Sequence, residues 1–90
     1  MKVIDGFKLR SLGKEFVVVG EGEAQVNFNK MISLNESAAF LWKEVCAMES
    51  FELEDLENLL IGKYGIDAAT AKKDSAYIAS KWLDFGITRN

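Results

Sequence analysis

The residues able to do chemistry are few, and their distribution points to binding rather than turnover. The ninety-residue sequence has no histidine and a single cysteine, Cys46. The commonest general base and the commonest metal ligand are therefore missing together. Cys46 extends the apolar side of a helical stripe and has no second thiol or imidazole to activate it, so it reads as a buried, inert thiol. Carboxylates cluster at Glu49, Glu52, Glu54, Asp55 and Glu57. These fall around the start of a predicted helix, where acidic side chains complement the positive end of the dipole, so they read as a solvated face. There is no phosphate-cradling glycine loop, no CxxC pair and no histidine-bearing metal spacing. No catalytic residue, metal site or cofactor is expected, and a chain this short has little room to enclose a substrate.

What remains is main-chain chemistry. Met31, Ile32, Ser33 and Leu34 read as a short strand. A strand at a sheet edge presents unpaired N–H and C=O groups and will accept any extended segment offered to it. The plainer reading of the same residues is an ordinary strand paired on both sides.

The elements that position this strand follow from the pattern around it. Asn35 is a helix N-cap, since its side-chain oxygen can accept from the free N–H groups of the first turn. Ala38, Leu41, Trp42 and Val45 then recur at i, i+3, i+4 and i+7, predicting a buried stripe on a helix over 36–46. Upstream, Phe7 to Ser11 alternates apolar and polar, Leu12 to Lys14 is a turn, and Phe16 to Val19 is a β-branched run suited to a strand covered on both faces. Gly20 to Glu23 reads as a loop, and Ala24 to Lys30 as a strand extension or an ordered loop.

Downstream, a second helix starts near Leu53 and buries Leu53, Leu56, Leu59, Leu60 and Tyr64. Gly65 ends it as a left-handed residue, with Ile66 closing back on Ile61 in a Schellman-type contact. Asp67 caps a third helix over 68–85, which Gly86 ends by the same device, with Ile87 against Trp82. On the third helix Ala71, Ser75, Ile78, Trp82 and Phe85 form one line and Ala76, Ala79 and Leu83 an adjacent one. Together they span more of the circumference than one core-facing stripe requires. That helix is therefore either sandwiched or has an apolar face left for something outside this chain.

Bulk properties set the class. The length suits one domain, 1–90, with a single small core. Hydrophobic residues make up 49% and charged residues 28%, as in soluble globular proteins. The net charge of −3 argues against nucleic acid as a partner. No apolar run approaches the ~20 residues of a membrane span, and no secretory core follows Met1. With one cysteine and no internal disulfide, a cytoplasmic location is expected.

The order β-β-β-α-α-α and the stretch Leu34-Asn35-Glu36-Ser37-Ala38-Ala39-x-x-Trp42 resemble the PqqD family, the small peptide chaperones of pyrroloquinoline quinone biosynthesis and their relatives, the recognition elements of ribosomally made, modified peptides. A second block agrees: Tyr64-Gly65-Ile66-Asp67, then Asp74, Ile78, Trp82, Gly86 and Ile87. The likeness covers about Phe7 to Ile87. It departs in the longer Gly20 to Lys30 connection, in Phe85 where small residues are common, and in Glu52 where Ser or Thr usually caps.

The resemblance implies an α+β, winged helix-turn-helix-like fold with a three-stranded antiparallel sheet and three helices. It implies a non-catalytic adaptor that takes the leader of a precursor peptide as an added strand and presents it to a modifying enzyme, such as a radical S-adenosylmethionine (SAM) protein. Carried onto this sequence, the peptide-binding edge is Met31, Ile32, Ser33 and Leu34, facing Ala76, Tyr77, Ala79, Ser80 and Leu83 on the third helix. The sequence leaves open which flank of that helix lines the groove. Two alternatives stand beside this reading. One is a DNA-binding winged helix, which the acidic second helix opposes. The other is a structural homodimer paired through Val17 to Val19 or Met31 to Leu34.

Overall fold

The computed structural model describes residues 1–21 and 31–90. In chain order the elements are β1 (Lys2–Val3), β2 (Phe7–Leu12), β3 (Glu15–Gly20), β4 (Ile32–Leu34), α1 (Glu36–Cys46), α2 (Leu53–Tyr64), α3 (Ala68–Phe85) and β5 (Thr88–Arg89). The antiparallel sheet β2-β3-β4 and the three helices give the α+β architecture expected from the sequence. The reading of Ala24 to Lys30 lies outside the described residues.

β2 and β3 form a hairpin in register Leu12↔Glu15 to Phe7↔Gly20. Its two-residue connection places Gly13 at φ 63, a conformation glycine reaches at no steric cost. β4 then pairs with β3 through Phe16↔Leu34, Val17↔Ser33 and Val18↔Ile32. Val18 is 0% exposed among the core side chains, and Val17, pointing to the opposite face, is 3% exposed. The β-branched run is thus covered on both faces, as its composition predicts.

α1 begins where the Asn35 side chain accepts from the Ala38 N–H at 2.9 Å. Ala38, Leu41, Trp42 and Val45 are all buried. α2 starts at Glu52, whose backbone N–H donates to the Asp55 carboxylate at 2.7 Å, half of a capping box built without Ser or Thr. α3 starts at Asp67, which accepts from the Thr70 N–H at 3.0 Å. The two glycine-terminated helices end differently. At Gly86 both Schellman bonds form, Gly86 N–H to the Leu83 carbonyl at 3.0 Å and Ile87 N–H to the Trp82 carbonyl at 3.1 Å. At Gly65 the single αL bond forms, to the Ile61 carbonyl at 2.9 Å, in place of the expected double contact.

Two large indoles occupy the centre. The Trp42 and Trp82 rings meet edge to face at 5.1 Å between centroids, and Phe51 adds a second edge contact to Trp82 at 6.2 Å. All three are at most 1% exposed. Geometries of this kind contribute beyond the area they bury.

Several expectations need correction. Cys46 is exposed rather than buried, because it sits one residue past the stripe-ending Val45 and so turns about 100° away from it. Partial desolvation still raises its thiol pKa, with Lys8 pulling the other way. Leu53 and Tyr64 are substantially exposed on α2, which seats Leu56 and Leu60 instead. On α3 the buried line is Ala71, Ser75, Ala79 and Trp82, whereas Ala76, Leu83 and Phe85 are exposed. The extra pairing of β1 with β5, through Lys2↔Arg89 and Val3↔Thr88, had no sequence signal because two-residue strands carry no periodicity. The Phe51 N–H donates to the Met1 carbonyl at 2.8 Å and holds this small sheet near the aromatic centre.

Two outcomes follow. Trp82→Ala is expected to cost about 3–5 kcal/mol in chemical denaturation, since it opens a cavity against two rings. Asp67 supplies a pH signature. Hydrogen bonds from the Thr70 side chain and then its backbone N–H hold the Asp67 carboxyl below its usual range. A folded pKa below the unfolded value means stability that is present above about pH 4 and lost as pH falls through the folded pKa. Asp67→Asn keeps a capping oxygen without the titration. Melting curves of the two proteins should differ above that range and converge on acidification.

Candidate functional site

The strand order places β4 at the rim of the sheet. Among the described residues, no strand pairs with its outer side. β4 is fixed from three directions: by the β3 ladder, by Ile32 in the core, and by Asn35, the single residue between Leu34 and α1. Beside it lies a groove of about 680 Å³. Ser33, Leu34 and Asn35 form one wall, with Ser37 and Ala38 of α1 continuing it. Leu60, Tyr64 and Ile66 close one side from α2 and the turn after it. The opposite wall is α3, through Asp74, Tyr77, Ile78, Lys81, Trp82 and Phe85.

The nine residues predicted for the edge and its facing helix are distributed unevenly. Ser33, Leu34 and Tyr77 line the groove. Met31, 64% exposed, precedes β4, while the Ile32 side chain is in the core. Ala79 is also in the core. Ala76, Ser80 and Leu83 are exposed and absent from the groove lining. At 100° per residue, they lie roughly 160° around α3 from the flank carrying Asp74, Ile78, Lys81 and Phe85.

That flank is legible in retrospect. Positions 74, 78, 81 and 85 are spaced i, i+4, i+7 and i+11, a helical stripe in its own right. Two charged members, Asp74 and Lys81, interrupt the apolar pattern, so apolar periodicity alone does not mark this flank as inward-facing.

The groove is aromatic and sparsely charged. Tyr77 stands on its rim at 65% exposure, with the Lys81 ammonium 5.6 Å from its ring centroid. The Tyr64 ring meets Phe40 of α1 edge to face at 6.1 Å, and Lys63 lies 5.4 Å from the Phe40 centroid. No cluster of three or more potential metal ligands occurs among the described residues. No described helix is long and apolar enough to cross a membrane. What these groups can do is hold an extended segment: β4 offers main-chain pairing, and the groove takes alternate side chains.

The sequence profile of the family described as Coenzyme PQQ synthesis protein D (PqqD) matches residues 15–86, most of the chain. The chain belongs to the PqqD family. The match runs from β3 through α3, so it spans both walls of the groove. No curated protein matches by sequence. One solved structure, TbiB1 in complex with the TbiA(beta) leader peptide, superposes with a TM-score of 0.74 at 14% identity, covering 100% of this chain and 96% of that one. At that identity the likeness is one of fold. The fold likeness covers the whole chain, including elements outside residues 15–86, β2 and the β1–β5 pair among them.

An open edge has a direct test. Successive residues of an antiparallel strand send their N–H groups to opposite sides, and proline removes that donor. Of Ser33→Pro and Leu34→Pro, one should break a bond to β3 and cost about 1–3 kcal/mol. The other should leave the melting temperature near that of the unmodified protein. Equal losses at both positions would show β4 to be paired on both sides.

Proposed function

We propose that this PqqD-family protein is a non-catalytic adaptor that binds the leader of a ribosomally made precursor peptide and presents it to a peptide-modifying enzyme. One observation carries the reading: the side of β4 with which no described strand pairs lies beside a groove of about 680 Å³. That volume is within the range of specific ligand sites. A leader adding to the β4 edge would gain main-chain bonds there while its alternate side chains enter the groove. The complex of TbiB1, a protein of the same fold, with the TbiA(beta) leader peptide supports a leader peptide as the ligand here.

Affinity on this mechanism is moderate. One aromatic side chain buries about 150–250 Å², but a disordered leader loses its freedom as it docks. Moderate affinity suits an adaptor that must release its cargo to an enzyme. The enzyme partner is proposed to be of the radical SAM type, acting in the cytoplasm, and the binding unit is residues 1–90 taken as one domain.

The test is amide NMR of the labelled protein titrated with the leader encoded beside its gene. Shifts should concentrate at Ser33, Leu34 and the Asp74 to Lys81 stretch of α3. Saturable binding with shifts confined to β2 or to the 76/80/83 flank would place the site elsewhere, and no saturable shift would reject the adaptor reading.

A further inference from the structure

The groove wall on α3 carries a charge pattern that specifies more than an extended peptide. From the helix N-terminus it presents Asp74, then Tyr77 with Ile78, then Lys81, then Phe85. Among the described residues, neither Asp74 nor Lys81 takes part in an ion pair. The Lys81 ammonium lies over the face of Tyr77, 5.6 Å from the ring centroid. Two charges of opposite sign, neither paired among the described residues, thus border an apolar patch on the groove wall.

The spacing fits a strand. Successive turns of a helix repeat every ~5.4 Å, and side chains on one face of a strand repeat every ~6.7 Å. Residues i, i+2 and i+4 of a strand lying along α3 therefore meet the Asp74, Tyr77–Ile78 and Lys81 turns in succession. The accumulated mismatch of about 3 Å lies within the reach of a lysine side chain.

We infer that the groove selects a segment with a bulky apolar residue between two charges, a cation toward Asp74 and an anion toward Lys81. This rests on the peptide-binding reading and adds the class of peptide. The pairing also fixes direction. A strand entering backwards would bring its cation to Lys81 and its anion to Asp74, and like-charge juxtaposition is the common means of rejecting a wrong partner. Tyr77 contributes as the platform between the two charges, with its ring available to the central apolar side chain.

A random peptide library displayed against the intact protein tests this, with enriched peptides carried into titration calorimetry and amide NMR. Enriched sequences should share the cation–apolar–anion order at alternate positions. Lys81→Glu should weaken them about three- to fivefold, as expected of one partly screened pair. Exchanging both charges, Asp74→Lys with Lys81→Glu, should restore affinity for peptides with their charges exchanged. The inference is overturned if enriched peptides shift Ser33 and Leu34 yet bind both charge variants equally, an outcome that leaves the peptide-binding reading intact. If no peptide is enriched, or none shifts β4 and α3, both readings fall.

Discussion

The contact on which the site depends is the edge-to-face meeting of Trp42 and Trp82. Trp42 is on α1 and Trp82 on α3. α1 is joined to β4 through one residue, Asn35, whose side chain caps the helix. The position of β4 is therefore transmitted to α1 with little slack, and the indole pair sets how far α1 lies from α3. The groove is the space left between these elements. Phe51 braces Trp82 from a second direction, so the wall that faces a ligand is backed by a close-packed aromatic cluster.

How legible the molecule is from its sequence depends on the kind of signal each part carries. Helix ends read well because their determinants are local: Asn35 and Asp67 supply capping oxygens, and Gly65 and Gly86 supply left-handed residues. The covered strand at Val17 and Val18 reads well because β-branched runs leave few other options. The site reads less well. That Ile32 to Leu34 is a strand is local information. Which side of α3 faces it is not, because α3 has apolar residues on both flanks. The structure resolves this through packing: Ala71, Ser75, Ala79 and Trp82 seat on the core, which turns Ile78 and Phe85 toward β4 and Ala76 and Leu83 away. Cys46 misreads for a related reason, since one residue of helical rotation moves a side chain out of a stripe that it adjoins in sequence.

An unpaired strand edge is a hazard as well as an opportunity, because it will pair with any other edge it meets. In this chain the exposure is kept small. β4 has three residues, and its one fully inward side chain, Ile32, ties it to the core. Self-association through so short an edge gains few hydrogen bonds. A ligand that also fills the adjoining groove gains apolar burial in addition. On the proposed function, the shortness of β4 and the groove beside it act together, favouring a two-surface partner over an indiscriminate one. The first turn of α2, with Glu54 and Asp55, is the surface that a winged helix would bring near a phosphate backbone, and its charge is of the wrong sign.

The small sheet of β1 and β5 has a topological consequence. Lys2 lies opposite Arg89 in an antiparallel register, and Ile4 donates to the Ile87 carbonyl at 3.0 Å. Polypeptide entering at residue 2 and leaving at residue 89 therefore does so from one place. Neither residue contributes to the groove. A short bridge from 89 back to 2 would close the fold into a ring that could be reopened at the Gly13–Lys14 turn. By the same geometry, connections made at these two ends would start from one place, at residues that do not line the groove.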